Sequence, residues 1–146
     1  MRRVFKKLSC LVLTFILMSS FMCANATSVR SSNYLNAYRA SLTADSNGTI
    51  WVSATVIGRE SYSKIGLSQI KIYESSNGGK TFSHFASYSS DDYPSMMGSG
   101  IRYSQDALAF TGTVGNQYKA IVYVYAGDSS GYDEKAYTTS TVTAIR

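Results

Sequence analysis

His84 is the only histidine of the 146-residue chain, and it is the side chain best suited to act as a general base near neutral pH. A serine hydrolase requires such a base beside a serine, a third group that orients the base, and a preformed oxyanion site. Serines are abundant here, so a serine close to His84 would carry little information. His84 also lies between Phe82 and Phe85 in a segment predicted to be a strand. We therefore expect a partly exposed strand histidine, no catalytic residues and no enzyme, with a small hydrolase as the weakest alternative.

Acidic side chains offer the other candidate chemistry, the binding of a metal ion. Two groups stand out, namely Asp91 with Asp92, and Asp128 with Asp133 and Glu134. Calcium requires several converging oxygen ligands, and neither group has the spacing of an EF-hand loop. Solvated carboxylates in turns explain the same residues more simply, and weak calcium binding by the second group is left open. We predict no metal site and no cofactor.

The segment from Ser75 to Phe82 resembles the Asp box of sialidases and other β-propellers, with Asn77 in place of the usual aspartate. In that motif a polar side chain fixes the amides of a hairpin turn, and the aromatic residue packs beneath it. One copy is too few to build a propeller. The expected structure is therefore a plain hairpin turn that the Asn77 side chain stabilises.

The chain that must position these residues begins with the pattern of a secretory signal peptide. Basic residues at positions 2, 3, 6 and 7 precede an apolar run over residues 8–21, and Ala24 and Ala26 supply the small residues of a cleavage site. We predict cleavage after Ala26, export from the cell, and a mature chain without a membrane-spanning segment. Both cysteines would leave with the signal peptide, so the mature chain has too few ligands for a structural zinc site.

The basic start of the chain also explains most of its formal net charge of +5. The remainder is close to neutral, so neither a nucleic acid nor an anionic membrane surface is expected as a partner. A mature chain of this size buries roughly two thirds of its unfolded surface, which is enough for a core without disulfides.

Period-two alternation dominates the sequence after a flexible leader at residues 27–33, and it predicts one β-domain over residues 34–146. Seven strands are expected, at residues 34–44, 49–57, 67–75, 81–88, 104–113, 117–126 and 133–144. Asn47-Gly48 and Gly115 provide the residues that tight turns require. Seven such strands are typical of an immunoglobulin-like or fibronectin-type-III-like sandwich, and a small β-barrel is the alternative.

The sixth predicted strand carries the most specific local signal of this fold. Tyr118 follows the turn at Gly115 and Asn116 and precedes alternating apolar residues, as in a tyrosine corner. In that device the tyrosine at the start of strand F bonds its hydroxyl to nearby backbone. An ordinary strand tyrosine is the alternative.

The chain also resembles a family of small secreted proteins of unknown function from Gram-positive bacteria of the clostridial type. Four stretches carry the likeness: Asn47-Gly48, Lys64-Ile65-Gly66 leading into Ile70-Lys71-Ile72-Tyr73-Glu74, Met96-Met97-Gly98, and Phe110-Thr111-Gly112 through Tyr118, Ala120 and Val122 to Ala126-Gly127. The resemblance implies a secreted β-sandwich, and it implies neither an activity nor catalytic residues.

Tyrosine is the one residue type whose abundance points to a recognition surface, since the chain has 12 of them. If predicted strands three, six and seven share a sheet, their outward residues include Tyr73, Ile121, Tyr123, Tyr125 and Tyr137. Tyrosine supplies rigid contact area with a polar tip, although it is also an ordinary outward strand residue. We predict a secreted binding module that recognises a protein or associates with itself. Binding of a cell-wall or extracellular glycan is the alternative.

Overall fold

The computed structural model describes residues 32–146, and this part of the chain is all-β. It contains nine strands: β1 (Leu35–Ala44), β2 (Thr49–Tyr62), β3 (Lys64–Ser75), β4 (Ser83–Ser89), β5 (Met97–Gly98), β6 (Ile101–Thr111), β7 (Gln117–Asp128), β8 (Gly131–Thr138) and β9 (Val142–Thr143). Short 3-10 turns occupy Ser46–Gly48 and Pro94–Met96. Within residues 32–146 there is no helix long and apolar enough to cross a membrane.

The strands form two antiparallel sheets, as expected for a β-sandwich. One sheet has three strands in the order β1-β2-β6. The other has the order β4-β3-β7-β8, with β5 added to β3 and β9 added to β7.

Alternation along β2 and β7 builds most of the core between the sheets, because successive side chains of a strand point to opposite faces. The inward residues of these two strands are Ile50, Val52, Ala54, Val56, Tyr118, Ala120, Val122, Val124 and Ala126. Ile65, Ile70 and Ile72 of β3 are equally inaccessible to solvent. The aromatic rings of Phe85 and Phe110 close one end of this core against Tyr118, with centroids 5.4 and 5.5 Å from its ring.

The predicted loop at residues 58–66 is wrong, because β2 continues to Tyr62 and β3 already begins at Lys64. The sequence suggested a loop on account of Gly58 and Gly66, but both glycines are buried within strands. A Cβ on Gly58 would lie 2.9 Å from the Tyr62 ring, so this glycine marks a close approach rather than a turn.

The predicted seventh strand is divided into β8 and β9 at the buried residue Thr139. Its hydroxyl accepts a hydrogen bond from the backbone N–H of Ala120 at 3.0 Å, while its own N–H donates to the Ala120 carbonyl at 2.9 Å. The Thr139 hydroxyl therefore accepts a hydrogen bond that a backbone carbonyl would accept in a continuous ladder, and β8 ends just before this residue.

The predicted signal peptide and most of the predicted leader lie outside the described residues. Ser32 and Asn33, the last two residues assigned to that leader, are described. Ser32 is buried, its Oγ accepts from the Leu35 N–H at 2.8 Å, and its hydroxyl donates to the Asp133 carboxylate. The chain is thus anchored to β8 from Ser32 onward.

Candidate functional site

Strands β3, β7 and β8 are neighbours in one sheet, so their outward residues form a continuous surface. In register they place Tyr73 opposite Lys119, Lys71 opposite Ile121, and Gly66 opposite Tyr125. We call this surface the aromatic face, and its members are Lys71, Tyr73, Lys119, Ile121, Tyr123, Tyr125 and Tyr132. Four of the five residues predicted for a binding surface, Tyr73, Ile121, Tyr123 and Tyr125, therefore lie together and are half-buried.

Tyr137, the fifth of these residues, does not belong to the aromatic face. It pairs with Val122, which is fully buried, so its ring points between the sheets. There it packs on the core and meets Tyr38 edge to face, with centroids 6.4 Å apart. The outward orientation predicted for Tyr137 is corrected by this register.

Tyr132, which was not predicted as a site residue, belongs to the aromatic face. It lies opposite Gly127 and stacks on Tyr125, with centroids 5.1 Å apart and ring planes 17° from parallel. The sequence shows that Tyr132 directly follows the turn at Gly131. Which face of the sheet its ring occupies could be assigned only from the register of β8 against β7.

Members of the aromatic face contact neighbouring cations and rings. The Lys71 ammonium lies 5.1 Å from the centroid of Tyr123, and the Lys119 ammonium lies 4.3 Å from that of Phe82. Both are cation–π distances. At the β4 side, Tyr73 meets His84 edge to face at 5.9 Å.

The electrostatics of the aromatic face favour hydrogen-bond donation. Lys71 and Lys119 are cations, while Glu134, which lies opposite Tyr125, accepts a hydrogen bond from the Ser68 hydroxyl. Burial, followed by the nearby Tyr132 and the acidic Glu134, raises the pKa of Tyr125. Its phenol is consequently protonated and a donor throughout the neutral range.

The residues predicted to shape turns adopt the backbone that those turns require. Asn47 and Gly48 have φ angles of 58° and 75°, and Gly115 has φ of 91°. Tyr118 accepts a hydrogen bond at its hydroxyl from the Thr113 backbone N–H at 2.7 Å and donates to Glu74. The two side-chain bonds to Glu74, from Asn116 and then from Tyr118, lower the pKa of this carboxyl.

The turn between β3 and β4 is held by the side chain of Asn77. Its Oδ1 accepts from the Ser75 hydroxyl at 2.8 Å and from the Thr81 N–H at 3.0 Å, and its Nδ2 donates to the Thr81 hydroxyl at 2.7 Å. These bonds lie within one hairpin, and they give the Asp-box-like segment a structural role.

The candidate catalytic and calcium-binding side chains have local partners. His84 Nε2 lies 2.8 Å from the Ser87 hydroxyl. Asp128 accepts from the N–H and hydroxyl of Ser130, at 2.8 and 2.6 Å, and Asp133 accepts from the Tyr34 N–H at 2.9 Å. Between residues 32 and 146 no three His, Cys, Asp or Glu side chains converge as a metal ion would need.

Residues 127–131 have the spacing Gly-x-Ser-x-Gly of a nucleophile elbow, which offers a further test of the hydrolase alternative. An elbow presents its serine on a sharp turn from a strand to a helix. Here the segment joins β7 to β8, and Asp128 pairs with Gly131 across the hairpin. The spacing therefore belongs to a hairpin turn.

The outer face of the three-stranded sheet carries the single tryptophan of the chain. Trp51 lies between Thr43 of β1 and Ala109 of β6, and 41% of its surface is exposed. Trp51 alternates with the buried Ile50 and Val52, which is the sequence signal for its outward position.

Comparison with protein families, with curated proteins and with solved structures finds no match to this chain. The resemblance to clostridial-type secreted proteins therefore stays a prediction, and the two sheet faces are interpreted from their chemistry.

Proposed function

We propose that this protein is a secreted, non-enzymatic binding module that recognises another protein through its aromatic face. We further interpret the sandwich as fibronectin-type-III-like. The strand orders β1-β2-β6 and β4-β3-β7-β8 correspond to sheets A-B-E and C′-C-F-G of that arrangement. The bond from the Thr113 N–H to the Tyr118 hydroxyl supports the same interpretation, because it is the contact expected of a tyrosine corner.

The observation that carries the proposal is the fixed arrangement of rings across three adjacent strands. Tyr125 stacks on Tyr132, and Tyr123 lies beneath Lys71. Immobilising a side chain on binding costs about 0.5–1.5 kcal/mol, and a ring that already packs on a neighbour has less freedom to lose when a partner binds. Rigid tyrosines with a polar tip are the residues on which many protein-binding surfaces depend.

The charges of the aromatic face indicate what kind of protein would fit. Lys64 at its edge, Lys71 and Lys119 all lie on the same side of β3 and β7. The Tyr125 hydroxyl adds a further hydrogen-bond donor. A surface with these donors complements a partner whose patch is rich in aspartate or glutamate.

The test replaces a ring of the aromatic face by a photo-crosslinking phenylalanine analogue and identifies what is captured. The analogue at Tyr125 should crosslink one extracellular protein reproducibly. The same analogue at Tyr103 should not, since Tyr103 is a tyrosine with 49% exposure that lies opposite Ile57 on the other sheet.

A double variant, Tyr123→Ser with Tyr125→Ser, then measures the energetic importance of the face. It should keep the circular dichroism of the wild type and lose binding of the captured protein by at least tenfold. Unchanged affinity in a folded double variant would overturn the proposal. A crosslink between two copies of this chain, with a matching dimer in sedimentation, would instead assign the face to self-association.

A second candidate function, glycan binding, has one observation in its favour, the exposure of Trp51 on the other sheet. Aromatic faces stack on sugar rings, and Ser53 and Thr43 nearby offer hydroxyl groups. A glycan array probed with wild type and with Trp51→Ala separates the two candidates. Glycan binding that disappears in Trp51→Ala but persists in the tyrosine double variant would favour this alternative.

A further inference from the structure

A cavity of about 190 Å³ lies between the two sheets, at the edge formed by β6. Its lining includes four large apolar side chains, beside polar groups: Leu67 and Ile70 come from β3, Leu108 from β6, and Met96 from the 3-10 turn. Ser95 lines it as well and is exposed, so the cavity opens to solvent. None of the residues of the aromatic face contributes to it.

One carboxylate points into this cavity. Asp106 pairs with Ala54, which is buried in the core, so its side chain is directed between the sheets. Its Oδ2 is shielded from solvent and has no hydrogen-bond partner among residues 32–146. Burial raises the pKa of Asp106, and only the backbone N–H of Ala107 acts in the opposite direction.

An acceptor in this state destabilises the fold. A buried polar atom without a partner costs about 1–3 kcal/mol, and such atoms are rare enough in native proteins to require an explanation. An isosteric apolar residue would avoid this cost. The partner of this aspartate then comes from outside the described chain, either as water or as a bound molecule.

The outer wall of the cavity is fixed in place by β3. Gly66 pairs with Met97, and a Cβ on Gly66 would lie 2.1 Å from the Met96 carbonyl oxygen. A side chain at this position would therefore push the turn away from β3. Gly66 also has φ of 151°, a backbone conformation that residues with a Cβ rarely adopt. Tyr93 packs on Tyr88 with centroids 5.6 Å apart, which secures the start of the same turn.

We propose that this cavity binds a primary alkylammonium group, with Asp106 Oδ2 as its counter-ion and the apolar side chains of the lining around its methylene chain. Several observations select this chemistry. The free acceptor requires a donor, and no side chain that lines the cavity is cationic. A single unpaired oxygen suits an ammonium better than a guanidinium, which binds both oxygens of a carboxylate. A metal ion would need more oxygen ligands than Asp106 can provide.

The volume agrees with a short amine. An apolar cavity of about 150 Å³ accommodates benzene, so about 190 Å³ accommodates a molecule of similar size, such as butylammonium. The same group forms the end of a lysine side chain. A free amine and a lysine of a peptide therefore share this chemistry, and the experiment must distinguish them.

The test follows the amide signals of the purified protein by two-dimensional NMR during titration at pH 7. The probes are butylammonium, the neutral and similarly shaped 1-butanol, and Nα-acetyl-lysinamide. We expect butylammonium to shift the amides of Leu67, Met96 and Leu108, with an affinity about tenfold above that of butanol, because a charged hydrogen bond distinguishes the two. Lysinamide binding as tight as that of butylammonium assigns the site to a lysine side chain, and weaker binding assigns it to a free amine.

Three variants complete the design. Asp106→Asn keeps the shape of the side chain and should remove the preference for amine over alcohol. Asp91→Asn, an exposed carboxylate of the preceding loop, is the matched control and should bind like the wild type. Ser95→Phe should block the mouth and weaken both ligands while leaving Asp106 in place.

The proposal is overturned if butylammonium binds no better than butanol to the wild type. It is also overturned if Asp106→Asn retains the full preference for the amine. Because the titration reports on residues lining the cavity, these outcomes are independent of whether the aromatic face binds a protein.

Discussion

Glu74 of β3 lies directly across from Tyr118 of β7, and its carboxylate accepts the hydrogen of the Tyr118 phenol. The same Glu74 oxygen accepts from Asn116 Nδ2 at 3.0 Å. The Tyr118 hydroxyl in turn accepts from the Thr113 N–H. This network joins the turn before β7 to the neighbouring strand, so it is the part of the fold at which single substitutions are most informative.

Tyr118→Phe should lower the free energy of unfolding by about 1–3 kcal/mol, because the Thr113 N–H loses its acceptor and Glu74 loses a donor while the ring stays in the core. Urea unfolding followed by tryptophan fluorescence measures this difference. Tyr103→Phe is the control, since that hydroxyl bonds only to Gln105 at the surface and its loss should cost less than about 0.5 kcal/mol. Equal effects in the two variants would contradict the network.

Glu74→Gln should change how stability depends on pH. Hydrogen bonds from Asn116 and Tyr118 lower the pKa of Glu74 from its ordinary value of 4.5. A carboxyl with a lowered pKa contributes stability above its unfolded pKa, and this contribution is lost as the pH falls through the folded one. The variant should therefore be less stable than wild type at pH 7, and the two should converge as the solution is acidified below about pH 4.

Urea midpoints at pH 7, 5, 4 and 3 measure this difference. The exposed Glu60→Gln serves as the control for removing a surface charge, and its difference from wild type should stay small throughout. A constant deficit of Glu74→Gln over the whole range would show that its hydrogen bonds do not depend on ionisation.

Much of the fold follows from alternation, because a strand with one buried face must repeat every second residue. The spans of β1, β4 and β7 agree with prediction to within two residues at each end. Neither the join between β2 and β3 nor the short β5 could be predicted in this way. Both depend on the close approach of other parts of the chain to Gly58 and Gly66, and local sequence does not encode which part approaches.

The orientation of Tyr137 shows how an error in register reverses a face. The prediction treated residues 133–144 as one continuous strand, in which strict alternation puts Tyr137 and Val142 on opposite faces. The strand breaks at Thr139, and the break shifts the phase, so Tyr137 pairs with the inward Val122 while Val142 pairs with Tyr118. A shift of one residue moves every side chain of a strand to the other face.

The cavity carboxylate could not be predicted at all. Asp106 lies in an edge strand where an outward, solvated aspartate is the ordinary expectation. Its burial depends on the turn at Pro94–Met96 closing over the sheet edge from a part of the chain predicted only as a long loop.

Val122→Ala should cost about 1–3 kcal/mol of stability, because this side chain is 0% exposed between the sheets and its removal leaves a cavity. Val114→Ala removes the same methyl groups from a turn residue that is 47% exposed, and it should change stability by less than about 0.5 kcal/mol. Thermal and urea unfolding of both variants provide the comparison. A cost for Val122→Ala no larger than that of the control would argue against a packed core at this point.

Asp106→Asn should stabilise the protein near neutral pH, the opposite of what most substitutions do. Burial raises the folded-state pKa of Asp106 above its ordinary value of 3.8. The stability linked to this group is therefore complete below the unfolded pKa and is lost as the pH rises through the folded one. Replacing the carboxyl by an amide removes the loss, and because the cavity opens to solvent the gain should be about 1 kcal/mol, the low end for an unpaired buried group.

Urea unfolding at pH 7 and at pH 4 measures this gain. The advantage of Asp106→Asn should be present at pH 7 and shrink at pH 4, where the wild-type carboxyl is increasingly protonated. A variant that is less stable at pH 7, in the absence of any amine, would mean that the carboxylate has a favourable partner within the fold. Addition of butylammonium should stabilise the wild type more than the variant, because a ligand that binds the native state more tightly raises the free energy of unfolding further.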